Sequence, residues 1–201
     1  MFTYCLNSPV NGIDPNGDAP AWIENLNTNL QDLIEKVKGA LVKEKEKERE
    51  SSGTLSVGVS FAAGAGGGGS ISGGLAMDNR LNFGVVSNYS SGSTLPSASA
   101  NAYISMTDAS SIYALGGDYG STLIVGASVG EEVGGGIDFL LIHDPEKKGR
   151  MSSGVTVQGG FTAKVPVPFE IHAQAAGGYV IGFNLYDVLI SACDYAIQVL
   201  G

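Results

Sequence analysis

The sequence predicts a mainly β protein. About eight antiparallel strands form an up-and-down barrel or barrel-like sheet, with an amphipathic helix before it and a second helix after it. Three observations lead there. Apolar side chains recur with a period of two across residues 54–183, the mark of strands with two unlike faces. The alternating segments are near ten residues long and are joined by short turn sequences, as expected of antiparallel neighbours. Glycine is abundant, at 30 of 201 residues, and sits among β-formers with no G-X-Y period, which excludes collagen.

The alternation is plain in LSVGVSFAAGAG, where Leu55, Val57, Val59, Phe61 and Ala63 interleave with Ser56, Gly58, Ser60, Ala62 and Gly64. It recurs in GVTVQGGFTAKV, where Val155, Val157, Phe161, Ala163 and Val165 interleave with Thr156, Gln158, Gly160, Thr162 and Lys164. Strands are expected at 54–64, 68–77, 81–90, 97–107, 121–130, 133–143, 152–165 and 169–183. The joints carry turn formers such as Asp78-Asn79-Arg80, Ser91-Gly92-Ser93, Asp144-Pro145-Glu146 and Pro166-Val167-Pro168. An even set of such strands fits a closed barrel, with a two-sheet sandwich as the rival architecture.

Residues 20–53 read as an amphipathic helix that becomes charged. Trp22, Ile23, Leu26, Leu30, Leu33, Ile34, Val37 and Leu41 form one stripe. Lys43 to Glu50 then alternate in sign, which suits a solvated helical end. Residues 184–201 read as a closing helix, with Asn184 placed to cap it.

The formal net charge is -9, so a nucleic-acid surface, which needs clustered Lys and Arg, is not expected. Cys5 and Cys193 have no metal or redox spacing, and two free thiols are the expected state. No cofactor or metal pattern occurs. GAGGGGS at 64–70 lacks the ending of a phosphate loop and lies between strands. No apolar run reaches the ~18 residues of a membrane-spanning helix. The start shows no basic region followed by an apolar one, so no signal peptide is expected there.

Residues 1–19 differ from everything after them. YCLNSPVNGIDPNGD is dense in turn formers. With Tyr4, then Asn7-Ser8-Pro9, then Asp14-Pro15-Asn16-Gly17, it resembles the end of the Rhs/YD-repeat-associated core. In that family the motif closes a large β shell, and a variable C-terminal region, often a toxin, follows. The resemblance covers about fifteen residues. It implies that the chain is the C-terminal tip of an Rhs-type polymorphic toxin protein, with the Gly-rich β region as effector or accessory part. It further implies an Rhs shell and a cognate immunity protein as partners. It implies residence in the cytoplasm before export, then secretion or delivery into a target cell. In many members the chain is cut just after the D-P-x-G step. The motif aspartate would be Asp14, with Pro15 and Gly17 completing the step; here Asp18 follows where self-cleaving members often have Leu.

Catalytic patterns are sparse. The best polar constellation lies on alternate positions of the late strands. Glu170, His172 and Gln174 share one face, and Thr156, Gln158, Thr162 and Lys164 share another. Asp138 is the single charge inside the apolar run GGGIDFLLIH. If these positions line an interior, Asp138, Lys164, Glu170 and His172 make an acid/base cluster.

The second face of the strands is Gly, Ser, Asn, Thr and Ala, with most charges at the turns. Three readings follow. In the first, the apolar face meets lipid, the small polar face lines a narrow interior, Tyr89, Tyr103, Tyr113, Tyr119 and Tyr179 contribute to an interfacial girdle, and the barrel would permeabilise a target membrane. In the second, the apolar face is the core of a soluble binding or structural domain. In the third, the polar face is the site of a small hydrolase-type toxin. The first is the leading mechanism.

Overall fold

The computed structural model describes residues 21–48, 52–65, 67–93, 97–130, 132–147, 151–164 and 169–200. The Rhs-like motif of Tyr4, Asn7, Pro9, Asp14, Pro15 and Gly17 lies outside the described residues. The chain divides into two compact units, one holding the helices and the other spanning Lys47–Leu185.

In the helical unit, α1 (Ala21–Glu48) and α2 (Leu185–Leu200) are joined by ion pairs. Lys38 Nζ meets Asp194 Oδ1 at 2.5 Å, and Lys45 meets Asp187. Cys193 is a free thiol. Among the described residues, no helix is long and apolar enough to cross a membrane, which bears on helices alone.

The second unit is a closed eight-stranded antiparallel barrel. Its strands are β1 (Thr54–Gly64), β2 (Gly68–Asp78), β3 (Asn82–Ser93), β4 (Ser97–Thr107), β5 (Gly117–Gly130), β6 (Val133–His143), β7 (Met151–Lys164) and β8 (Phe169–Asn184). The order around the wall is β1-β2-β3-β8-β5-β6-β7-β4. The expected closure and strand count hold, but the path is not up-and-down. The chain forms hairpins β1–β2, β2–β3, β5–β6 and β6–β7, and leaves its neighbour at the other three joints. Two of those joints contain Pro96 and the pair Pro166 and Pro168. Proline has no N–H for a ladder and does not suit a tight two-residue hairpin. The third joint is the long stretch from Asp108 to Gly116. Strand β5 also carries a register shift between Gly117 and Thr122, which the sequence pattern did not indicate.

The stretch from Asp108 to Gly116 plugs one end of the barrel. Its 3-10 turn, Ile112–Leu115, places Ile112 at 0% exposure against Ala76 and Val86, with Leu115 and Val180 packed around them. Two aspartates tie the plug to the strand ends. Asp78 accepts from the backbone N–H of Arg80, Asn82 and Ile112 at 2.9–3.0 Å and from Asn82 Nδ2 at 2.8 Å. Asp144 accepts from the Ser110 N–H at 2.8 Å, the Ser110 hydroxyl at 2.6 Å, the Ser152 hydroxyl at 2.9 Å and the Glu146 N–H at 3.1 Å. The adjacent β-hairpin turn places Leu81 in the left-handed region, φ 56°. The Leu81 carbonyl accepts the N–H of Leu185 where β8 passes into α2. Asn184 donates Nδ2 to the Arg80 carbonyl and to Asn82 Oδ1, tying β8 to the same rim.

The two strand faces are disposed inside out relative to a soluble barrel. Val57, Phe61, Ile71, Ile104, Val125, Phe139, Val157 and Ile171 are exposed on the outside, and Ile181 is 81% exposed. The Ser, Thr, Asn and Gln positions between them point into the lumen. The buried apolar cluster is confined to the plugged end.

Candidate functional site

The lumen holds the polar residues that alternate with the apolar belt. All eight strands contribute to a cavity of about 170 Å³. Its center is Asp138 on β6. His172 Nε2 lies 3.0 Å from Asp138 Oδ1, and Gln158 Nε2 donates to Asp138 Oδ2 at 3.0 Å. Asn101 Nδ2 reaches Gln158 Oε1 at 3.4 Å and Ser99 Oγ at 3.2 Å. Nearer the plug, Thr156 donates its hydroxyl to Ser105 at 2.8 Å. Across the lumen, Ser90 donates to Gln174 Oε1 at 2.5 Å and shares a 2.6 Å bond with Ser70. Asp138, Glu170 and His172 are all buried. Burying an ionisable group is tolerated when it is paired, and Asp138 has a partner on each oxygen.

Strand order explains how distant residues meet. β7 and β8 are not neighbours, because β5 and β6 stand between them. Asp138 and His172 sit on either side of Gly126 of β5, which pairs in register with both. A Cβ at Gly126 would overlap Asp138 Oδ1 and stand 2.7 Å from His172 Nε2. The glycine is therefore the space in which the pair forms. Gly126→Ala is expected to break the Asp138–His172 contact and to destabilise the barrel by about 2 kcal/mol, from overpacking together with a lost buried hydrogen bond. Thermal unfolding followed by circular dichroism checks this. An unchanged melting temperature would show that the pair has other room.

Of the four expected cluster residues, the structure brings Asp138 and His172 into contact. It buries Glu170 two positions along the same face of β8, in register with Ser128. Lys164 pairs by its backbone with Ser97 at the last position of β7, and its side chain lies outside the described residues. Gln158, expected only as a neighbour on the polar face, is a direct partner of Asp138. Gly126 was missed, because its place between the strands of Asp138 and His172 follows from the strand order around the barrel.

Of the tyrosines expected on the rim, Tyr103 is instead inside the lumen. Burial pushes its hydroxyl above the ordinary phenol range, opposed by hydrogen bonds with Ser72 and Ser56, so it stays neutral. A Cβ at Gly74 would come within 2.7 Å of that hydroxyl, so glycine clears its path. Tyr113 and Tyr179 are exposed, and Tyr89 stacks on Tyr119 with centroids 6.1 Å apart. Phenylalanines occupy the outer wall toward both rims, with Phe83 stacked on Phe183 near the plug and Phe61, Phe161 and Phe169 toward the other end. His143 is exposed at the end of β6, and no group of three or more metal-ligating side chains occurs among the described residues.

By fold and site the chain falls in the class of closed eight-stranded antiparallel barrels with a polar, partly filled lumen. No family model matches it, and no curated protein matches it in sequence. Among solved structures it is similar to the virulence-associated protein VapB from the intracellular pathogen Rhodococcus equi. That similarity has a TM-score of 0.32 and 13% identity, over 63% of this chain and 97% of that one.

Proposed function

We propose that the barrel is a membrane-inserting module, the effector or accessory region at the C-terminal tip of an Rhs-type protein. One observation carries the membrane part. Among the described residues, the outward positions of the eight strands hold no Asp, Glu, Lys or Arg apart from the exposed Asp118 at the irregular start of β5, while the alternate inward positions hold Ser, Thr, Asn and Gln with Asp138, Glu170 and His172, and the apolar Ile124, Leu140 and Ile142. Apolar-out, polar-in alternation is what a lipid-facing barrel requires, and closure leaves no unpaired strand edge. The dimensions agree. The 11 residues of β1 extend about 37 Å at ~3.4 Å per residue. Tilted by ~40°, they rise about 28 Å, close to the ~25 Å apolar band of such barrels. A water-facing sheet with this much exposed Val, Ile, Leu and Phe would associate with something apolar.

The plug formed by Asp108–Gly116 makes the barrel a lipid-seated body rather than an open channel. The Rhs shell and a cognate immunity protein remain partners expected from the likeness of residues 4–17. The test is vesicle flotation beside release of an entrapped dye. Co-flotation without release is the expected pattern, and a protein that neither floats nor releases dye overturns the membrane reading. A second reading, a hydrolase-type toxin, is favoured by the Asp138–His172 contact. It predicts that His172→Ala abolishes toxicity in a producing cell while flotation is unchanged.

A further inference from the structure

A closed barrel of eight strands has an interior that is either filled by side chains or able to hold one small ligand. Here the lumen keeps a cavity of about 170 Å³, reaching from Leu115, Ile142 and Ala176 at the plugged end past Asp138 to Ala63 and Thr162. A water needs roughly 10–15 Å³ of such space, so the volume exceeds a single structural water by about tenfold.

The geometry points to a binding site in this lumen for one small, neutral, polyhydroxylated molecule, a polyol or monosaccharide. The wall disfavours the other classes. The lining is mixed, with Leu115, Ile124, Leu140 and Ile142 set among the hydroxyls and amides, and a wholly apolar ligand would strip water from those polar groups without replacing their hydrogen bonds. An anion would face Asp138 and Glu170 with no Lys or Arg among the described lining residues. A metal cation would need several carboxylate or imidazole ligands together, and no group of three or more such side chains occurs among the described residues.

What the wall offers is fixed donors and acceptors side by side. The chain Asn101–Gln158–Asp138–His172 holds each group in one orientation. Each carboxylate oxygen retains a further lone pair that can accept a ligand hydroxyl, in a medium where such charge-assisted bonds are strong. Ser90 gives its proton to Gln174 and therefore takes that of Ser70, so both hydroxyl oxygens are held as acceptors for a ligand hydroxyl. A molecule with several hydroxyls matches this mixture, and the same wall is present whether the barrel sits in lipid or in detergent.

The test uses the full chain in a sugar-free detergent, titrated separately with glycerol, myo-inositol and glucose. Tetramethylammonium and acetate serve as charged probes. The expected result is a saturable rise in melting temperature with at least one polyol and a one-to-one adduct by native mass spectrometry, with neither charged probe acting. Asp138→Asn should weaken that binding about tenfold through loss of a charged acceptor, and Gln158→Met should weaken it without altering the circular dichroism spectrum. Ser87→Ala, on the outer wall, should leave it unchanged. Absence of a saturable shift with all three polyols, a shift with tetramethylammonium alone, or full binding by both lumen variants would overturn the proposal. Failure of flotation would leave this result untouched, so the two readings fail separately.

Discussion

Replacing Val125 by lysine is expected to strip the protein from membranes. Val125 lies near the middle of β5, between Phe139 of β6 and Ala173 of β8 in register. Its side chain points outward and is exposed. A lysine at the midplane of a lipid-facing strand costs about 2–4 kcal/mol, which is roughly 30- to 1,000-fold in partitioning. Vesicle flotation of Val125→Lys beside the parent chain measures this. Phe161→Lys, nearer one rim, should lose less, because the cost falls toward the interface. A lysine at Val125 that leaves flotation intact would mean that the outer wall does not face lipid.

Asp144→Ala is expected to be the most damaging substitution for the fold itself. Asp144 is fully buried and accepts four hydrogen bonds from Ser110, Ser152 and Glu146. Truncation leaves the buried N–H of Ser110 without its acceptor and frees the plug from β6 and β7. A loss of at least about 3 kcal/mol follows from hydrogen bonds to a charged group at ~1.5 kcal/mol or more each. The same site sets a pH dependence. Burial alone would raise this carboxyl, but the hydrogen bonds from Ser110, Ser152 and the Glu146 N–H outweigh it, and its pKa lies below the ordinary 3.8. A depressed folded-state value means stability that is fully present above the unfolded pKa and is lost as pH falls through the folded one. Denaturant midpoints measured from pH 6 down to pH 2 should therefore fall more steeply for the parent than for Asp144→Asn. Parallel curves would remove Asp144 as the source.

The strands were legible because alternation is a local property. From Leu55 to Phe183 it marked where each strand runs within a few residues of the observed limits. The direction of the faces did not follow from alternation alone, and it was the small polar second face that made apolar-out the leading reading. A period of two is the same whether Val57 and Val59 point into a core or out of a barrel. What distinguishes the two is the size and charge of the other face, and here Gly58, Ser60, Gly74 and Ser105 fit an interior too narrow for larger side chains. Chain path was missed where Ser91-Gly92-Ser93 and Pro166-Val167-Pro168 read as ordinary turns between neighbours, with Pro96 left out of account at the first of these joints. Asp144 was read as a turn residue before Pro145, since a buried Asx acceptor and an exposed one look alike in sequence. The Asp138–His172 contact was foreseen as a cluster, but its geometry runs over Gly126, on a strand that lies between theirs.

On the proposed function, the outer wall seats in a bilayer. The most direct test is flotation of the full chain with phosphatidylcholine vesicles on a density gradient, followed by extraction with alkaline carbonate. The protein is expected to rise with the lipid and to resist extraction. A monodisperse monomer that stays at the bottom of the gradient would contradict it.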